Sequence, residues 1–199
     1  PEKLNIKEAA LAEPSAVALH AVLLAEQNLK KNLSESKILI QGAGAIGLLC
    51  GLILNKEKKA NNIIMSDPNK KRLDECSKYL KANFVSPNDK SIKENNFDLI
   101  LESVGLEATR HQAIKSIAPG GTILHIGLTH PSGTFDFKKL TIQEVTLVGT
   151  YCYTNKDFQK TLEILKEKKL GDLSWVEYRD LKKGSEAFQE IHNGTCVAP

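Results

Sequence analysis

Residues 37–49 read KILIQGAGAIGLL, an apolar run that turns on glycines spaced as GxGxxG and then continues with apolar residues at helical intervals. Few short stretches restrict a fold as much. The pattern asks for a strand ending near Gln41, a tight turn, and a helix that starts at once. Gly42 suits the turn, Gly44 lets a pyrophosphate approach the backbone, and Gly47 lets helix and strand pack closely. The N–H groups around Ala45 and Ile46, at the positive end of that helix, would face the phosphates. The same spacing also occurs in α/β proteins as a plain turn with no ligand, so the surroundings decide.

Apolar strand patterns alternate with helical ones along most of the chain. Residues 15–31 read as a leading helix, with Pro14 and Ser15 in its first turn. Strands are expected at 36–41, 61–67, 83–87, 97–105, 122–128 and 144–153, the last reached through a polar loop, THPSGTFDFKK. Helices are expected at 68–82, 106–118, 156–169 and 184–193, the second of these closed by Pro119-Gly120-Gly121. The crossover SPNDKSIKENN between the third and fourth strands has room for one or two helical turns. Strands apolar on both faces, linked by helices, predict an α/β fold: a doubly wound, parallel, six-stranded Rossmann sheet with a leading helix. Residues 1–35 form the leader and residues 36–199 the dinucleotide-binding domain. The ends, Pro1 and the uncapped NGTCVAP, suggest a piece of something longer.

Asp67 supports a bound dinucleotide. It closes the second strand, twenty residues beyond Gly47, where a carboxylate accepts hydrogen bonds from the adenosine ribose hydroxyls. It would also repel a 2′-phosphate, by roughly 4 kcal/mol for unit charges ~4 Å apart at an effective dielectric of ~20. The sign favours NAD over NADP. Lys70, Lys71 and Arg72 pull the other way, because a basic cluster accepts phosphate.

Composition excludes several other classes. A formal charge of +3, from lysines scattered among acids, gives no basic arm for nucleic acid. No apolar run approaches the ~20 residues of a membrane span, and the amino end carries no signal pattern. Cys50, Cys76, Cys152 and Cys196 form no CxxC, which fits reduced thiols in a cytoplasmic protein better than a zinc knuckle or a disulfide framework.

A bound nicotinamide usually means hydride transfer, and oxidising an alcohol that way also needs a group to take the substrate's proton. Tyr178 and Lys182 have the YxxxK spacing of the short-chain dehydrogenases, but they lie in a turn beyond the sixth strand, whereas that family's pair lies on a long helix after the fifth. His20, His111, His125, His130 and His192 form no metal spacing; His130, in the loop after the fifth strand, is nearest to where a nicotinamide would reach. No complete catalytic constellation is present.

The order of motifs resembles the medium-chain dehydrogenases of the zinc alcohol and polyol type, such as sorbitol and threonine dehydrogenases. The matching stretches are AALAEPSAVALHAV (9–22), GAGAIG (42–47), SDPNKKR (66–72), ESVG (102–105), GGTILHIGL (120–128), GTYCY (149–153) and AFQEIHNGTCVAP (187–199). The resemblance implies a zinc enzyme that passes hydride between an alcohol or polyol and NAD, with its zinc ligands mainly on an amino-terminal domain not present here. It implies that Glu13 sits at the interdomain cleft, on the zinc or its water, and that Val104, Leu128, Tyr151 and Cys152 line the nicotinamide side. It implies a homodimer through the edge of the sixth strand, and inactivity of this portion alone. Two departures stand out. The crossover between the third and fourth strands is short for the family, and sorbitol-type members often carry arginine where this chain has Cys152. Two other readings stay open: a zinc-free, NADPH-using reductase of the same superfamily, against which Asp67 and Glu13 speak, and a nucleotide-sensing regulatory module.

Overall fold

The computed structural model describes residues 4–196. Its centre is a six-stranded sheet of β1 (Ile38–Gln41), β2 (Ile63–Ser66), β3 (Asn83–Val85), β4 (Phe97–Glu102), β5 (Ile117–His125) and β6 (Thr146–Gly149). The strands lie in the order β3-β2-β1-β4-β5-β6, and every pairing is parallel. The order reverses between β1 and β4, as in a doubly wound Rossmann sheet. The leading helix is α2 (Ala12–Asn28), after a single turn α1 (Ile6–Ala9). The remaining helices are α3 (Ala45–Leu52), α4 (Lys70–Cys76), α5 (Glu107–Ser116), α6 (Phe137–Ile142), α7 (Asn155–Lys166) and α8 (Gly184–His192).

Successive strand residues point to opposite faces, so an uninterrupted apolar run feeds two cores. Ile38, Ile40, Ile63, Met65, Leu99 and Leu101 join one core, against Leu19, Val22, Leu48, Leu52 and Ile164 of α2, α3 and α7. Leu39, Ile64, Ile100 and Ile123 face the other way, onto Ala113 and Ile114 of α5 and Val145. Each such side chain contributes about 1.5–3 kcal/mol on burial. The first core is much the larger, because α2 adds a helix to that face. Ala18, Ala21 and Ala25 are wholly buried along α2, and their small size lets α3 and α7 close in on it. His20 Nδ1 and Asp157 Oδ2, 2.8 Å apart, join α2 to α7.

Local chemistry moves several boundaries from those predicted. The leading helix covers Ala12–Asn28 rather than 15–31, because Leu29 takes extended backbone. The helix after β2 stops at Cys76 and gives way to turns, and residues 86–96 cross to β4 through turns without a helix. Pro119-Gly120-Gly121 is not the end of a helix but an irregularity inside β5: Phe97 pairs with Ile117, and Leu99 with Thr122. Gly120 has φ +70° and donates its N–H to Gln143 O. The polar loop after β5 contains α6, started by the Asp136 carboxylate accepting from Lys139 N–H at 2.8 Å. Six residues are too few for a helical period to be read. β6 is four residues long and forms a sheet edge among the described residues.

Candidate functional site

The glycine turn is built by steric exclusion. Gly42 has φ +99°, and a Cβ there would lie 2.8 Å from Ser103 Oγ and 2.9 Å from Val104 Cγ2. A Cβ on Gly47 would lie 2.0 Å from Gly42 O, so the first turn of α3 sits directly on the turn that precedes it. Gly44 differs: a Cβ there would meet no protein atom within 4 Å. The protein's own packing therefore does not require the second glycine. Gly44, Ala45 and Ile46 are half-exposed, and the first-turn N–H groups of α3 are among those that no helical carbonyl can satisfy.

Asp67 follows β2 and is almost fully buried. Its Oδ2 accepts from Ala43 N–H at 2.8 Å and its Oδ1 from Asn69 N–H at 2.7 Å. The carboxylate thus ties the end of β2 to the glycine turn, a role its position in the sequence did not disclose. Each carboxylate oxygen has two lone pairs, so capacity remains for further donors. Cys76 lies beneath, its thiol 3.7 Å from Ala43 O and pushed up to about 12, chiefly by burial. It is packing, not a nucleophile. Asn69 caps α4 by accepting from Lys71 and Arg72 N–H. Arg72 is half-buried, and its Nε has no partner among the described residues.

The carboxyl ends of β4 and β5 form the opposite side. Glu102 is fully buried, and its Oε1 accepts from Val104 N–H at 2.9 Å, Gly105 N–H at 2.7 Å and Thr109 Oγ1 at 2.8 Å. Its Oε2 lies 3.2 Å from His125 Nε2, its register partner on β5. In the sequence Glu102 stands out only as part of ESVG and Thr109 not at all, although an acid closing the apolar run LIL (99–101) is the signal that could have found the first. Val104 is half-exposed at this end, and Leu128 follows β5 with 76% of its surface open. Tyr151 and Cys152, both exposed, follow β6, with Cys152 at φ +54°. These four residues therefore stand at the carboxyl ends of adjacent strands β4, β5 and β6. His130 is exposed beyond Leu128, and its N–H donates to Gly105 O.

Glu13 is exposed in the first turn of α2, a position that favours a carboxylate by the helix dipole. Tyr178 is half-exposed beneath Lys7, and Lys182 lies exposed in a 3-10 turn, so the YxxxK spacing marks surface. Among the described residues no group of three or more His, Cys, Asp or Glu side chains could hold a metal. A groove of about 1030 Å³ lies against α5, lined by Pro87, Ile92, Gln112 and Phe135 among others, and none of the glycine-turn residues lines it. It lies beside the crossover that lacks a helix. No helix among the described residues is long and apolar enough to cross a membrane.

A family model described as zinc-binding dehydrogenase matches residues 45–167, more than half of the chain. The chain belongs to the zinc-binding dehydrogenase family. It is a domain of the medium-chain, zinc-type branch. Among curated members, the probable D-xylulose reductase A of Aspergillus clavatus is 29% identical over 202 residues, covering 96% of this chain and 53% of the relative. The D-xylulose reductase of Saccharomyces cerevisiae is 26% identical over 203 residues, covering 96% and 55%. The chain thus spans about half the length of the relatives it matches. Among solved structures, 2R,3R-butanediol dehydrogenase from Bacillus subtilis superposes with TM-score 0.71 at 28% identity, over 84% of this chain and 48% of that one. Acetophenone reductase from Geotrichum candidum, in complex with NAD, superposes with TM-score 0.86 at 22% identity, over 100% and 56%, and supports the fold.

Proposed function

We propose that this chain is the cofactor-binding portion of an NAD(H)-dependent dehydrogenase acting on a small alcohol or polyol. The observation that carries the reading is Gly44, which no protein neighbour requires to be glycine, in a turn held by an acid at the end of β2. A side chain at Gly44 would stand where a pyrophosphate meets the helix N–H groups. Gly42, Gly44, Ala45, Ile46 and Gly47 would take the pyrophosphate, Asp67 the adenosine ribose and Arg72, through its unpartnered Nε, the adenosine side. Val104, Leu128, Tyr151 and Cys152 would bound the nicotinamide. Bound nicotinamide supplies the hydride acceptor or donor; this chain holds and orients it and keeps water from one side.

The described residues do not form a zinc site, so no zinc chemistry is assigned to them. In the whole protein zinc would belong to an amino-terminal domain, and Glu13 is the residue here that would approach it. The division into a leader and cleft helix (1–35) and a nucleotide domain (36–199), cytoplasmic residence, and a homodimer through β6 belong to the same reading. Exposed Phe137, Ile142 and Leu147, on and just before the β6 edge, favour the dimer. D-xylulose reductases among the relatives favour a polyol over a simple alcohol, in line with the sorbitol- and threonine-type resemblance, whereas Cys152 argues against the sorbitol-type pocket.

Titration into NADH and NADPH, followed by nicotinamide fluorescence, tests this reading. Preference for NADH is expected. Preference for NADPH would move the assignment to the zinc-free reductase, with Lys70, Lys71 and Arg72 as the phosphate site, a reading that Arg72's free Nε favours. Binding of neither would overturn the cofactor assignment.

A further inference from the structure

A dinucleotide with its pyrophosphate on the glycine turn and one ribose at Asp67 must lay its other half over the carboxyl ends of β4 and β5. The wall there is made by two backbone segments, Val104–Gly105 and Gly127–Thr129. They touch so closely that a Cβ on Gly105 would lie 2.5 Å from Gly127 C, and one on Gly127 2.0 Å from Gly105 N. Thr129 Oγ1 donates to Val104 O at 2.5 Å, and His130 N–H donates to Gly105 O at 3.0 Å. Yet residues 128–134 are all exposed, with no apolar anchor of their own. A segment of that kind opens easily unless polar contacts hold it.

One side chain collects those contacts. Arg110 of α5 donates from Nη1 to Gly105 O and to His130 O, both at 3.1 Å, and from Nη2 to Ser132 O at 2.5 Å. Three carbonyls from two loops thus converge on one guanidinium. On the same face of α5, Glu107 Oε1 accepts from Thr134 N–H at 2.9 Å and from Thr134 Oγ1 at 2.7 Å. His111 Nε2 lies 2.5 Å from Thr134 Oγ1.

We infer that Arg110 is a positioning residue of the cofactor cleft: it ties the β4–α5 turn to the loop after β5 and fixes the wall against the second nucleotide half. The inference rests on the cofactor reading above. The planar fork matters as well as the charge. A lysine at this position offers one ammonium point and cannot span three carbonyls in the same geometry. Arg110 itself touches no reacting atom. Its effect is to spare the ligand the ordering of an exposed loop, which otherwise subtracts from affinity.

The test compares two ligands that share adenosine, pyrophosphate and the second ribose but differ in the nicotinamide: NADH and ADP-ribose. Their dissociation constants are measured by calorimetry for the unsubstituted chain and for Arg110→Met, Arg110→Gln and Arg110→Lys, with circular dichroism reporting the fold. Arg110→Met is expected to weaken NADH about tenfold and ADP-ribose less than about twofold, so that the ratio of affinities collapses. Arg110→Lys should recover little of the loss, and Arg110→Gln gives the same readout where the methionine variant fails to fold. Equal losses for both ligands, or no loss for either, would overturn the inference while leaving the cofactor reading intact. An unsubstituted chain that binds neither ligand overturns both.

Discussion

The two halves of the cleft share a close glycine contact and differ in what is added to it. Around the glycine turn the backbone is fixed by exclusion: Gly47 packs on Gly42 so tightly that one added carbon would overlap a carbonyl oxygen. Around the ends of β4 and β5 Gly105 and Gly127 exclude each other's side chains in the same way, but a network of side chains is added, with Glu102 and Thr109 beneath the turn and Arg110 and Glu107 over the loop. The first half occupies six consecutive residues and can be recognised by spacing. The second draws on residues from 102 to 134, and only the fold brings them together. Rigidity concentrated in a motif should fail abruptly when broken. Rigidity spread over hydrogen bonds should fail in steps.

Gly47→Ala is the sharpest way to break the contrast. Its Cβ would lie 2.0 Å from Gly42 O, a backbone atom that cannot swing aside. We expect a stability loss of about 3 kcal/mol or more by denaturant unfolding, at the upper end of overpacking costs. Gly44→Ala is its control, since it meets nothing within 4 Å. It should cost no more than about 1 kcal/mol, the scale of an N-cap change, yet weaken NADH binding at least about tenfold. A Gly44→Ala chain that binds NADH normally would remove the main support for a phosphate on this turn.

Glu102→Ala probes the other half. Two backbone N–H groups and the Thr109 hydroxyl lose one buried acceptor together. At about 1–3 kcal/mol for a buried group left unsatisfied, a loss near 3 kcal/mol is expected if water reaches only some of them. Asp67→Ala removes the acceptor for one buried N–H, that of Ala43, and for the more accessible Asn69 N–H, and should cost about 2 kcal/mol. If Asp67→Ala proved as costly as Gly47→Ala, a side-chain tether would matter to the first half as much as exclusion does.

How far this was legible follows the same division. The sheet and its winding were readable because runs such as ILI (38–40) and LIL (99–101) are apolar at every position, which only a two-sided core rewards. The glycine turn and Asp67 were readable from spacing. Arg110 was not, because nothing local marks an arginine in a helix as one that will meet carbonyls twenty residues ahead. Asp67's second role was hidden for the same reason, since Ala43 is twenty-four residues away. The bulge at Pro119-Gly120-Gly121 reads in the sequence as a helix end, because the same turn residues mark the end of a helix and a buckle inside a strand.

Acid titration gives two smaller effects, one in the scaffold and one in the loop. Burial raises the Asp157 pKa, but hydrogen bonds from the Thr154 hydroxyl and N–H, and His20 beside it, outweigh that and leave it below the ordinary 3.8. A carboxylate depressed on folding contributes its stability above the unfolded value and loses it as pH falls through the folded one. The α2–α7 junction should therefore weaken only below about pH 4, and Asp157→Asn should flatten that part of the acid unfolding curve. Glu107 is the gentlest case. The Thr134 hydroxyl and then its N–H hold the Glu107 carboxyl below its ordinary 4.5. The same sign applies: the tether on the 130–134 loop is complete above 4.5 and is released as pH falls below it. Glu107→Gln imitates the released form at neutral pH. Hydrogen exchange at the Thr134 amide should then show lower protection than in the unsubstituted chain at pH 7, with the difference closing as both are taken toward pH 3. A Thr134 amide equally protected in both chains at pH 7 would mean that the Glu107 tether is dispensable, and that Arg110, with the Thr129 and His130 contacts, holds the loop without it.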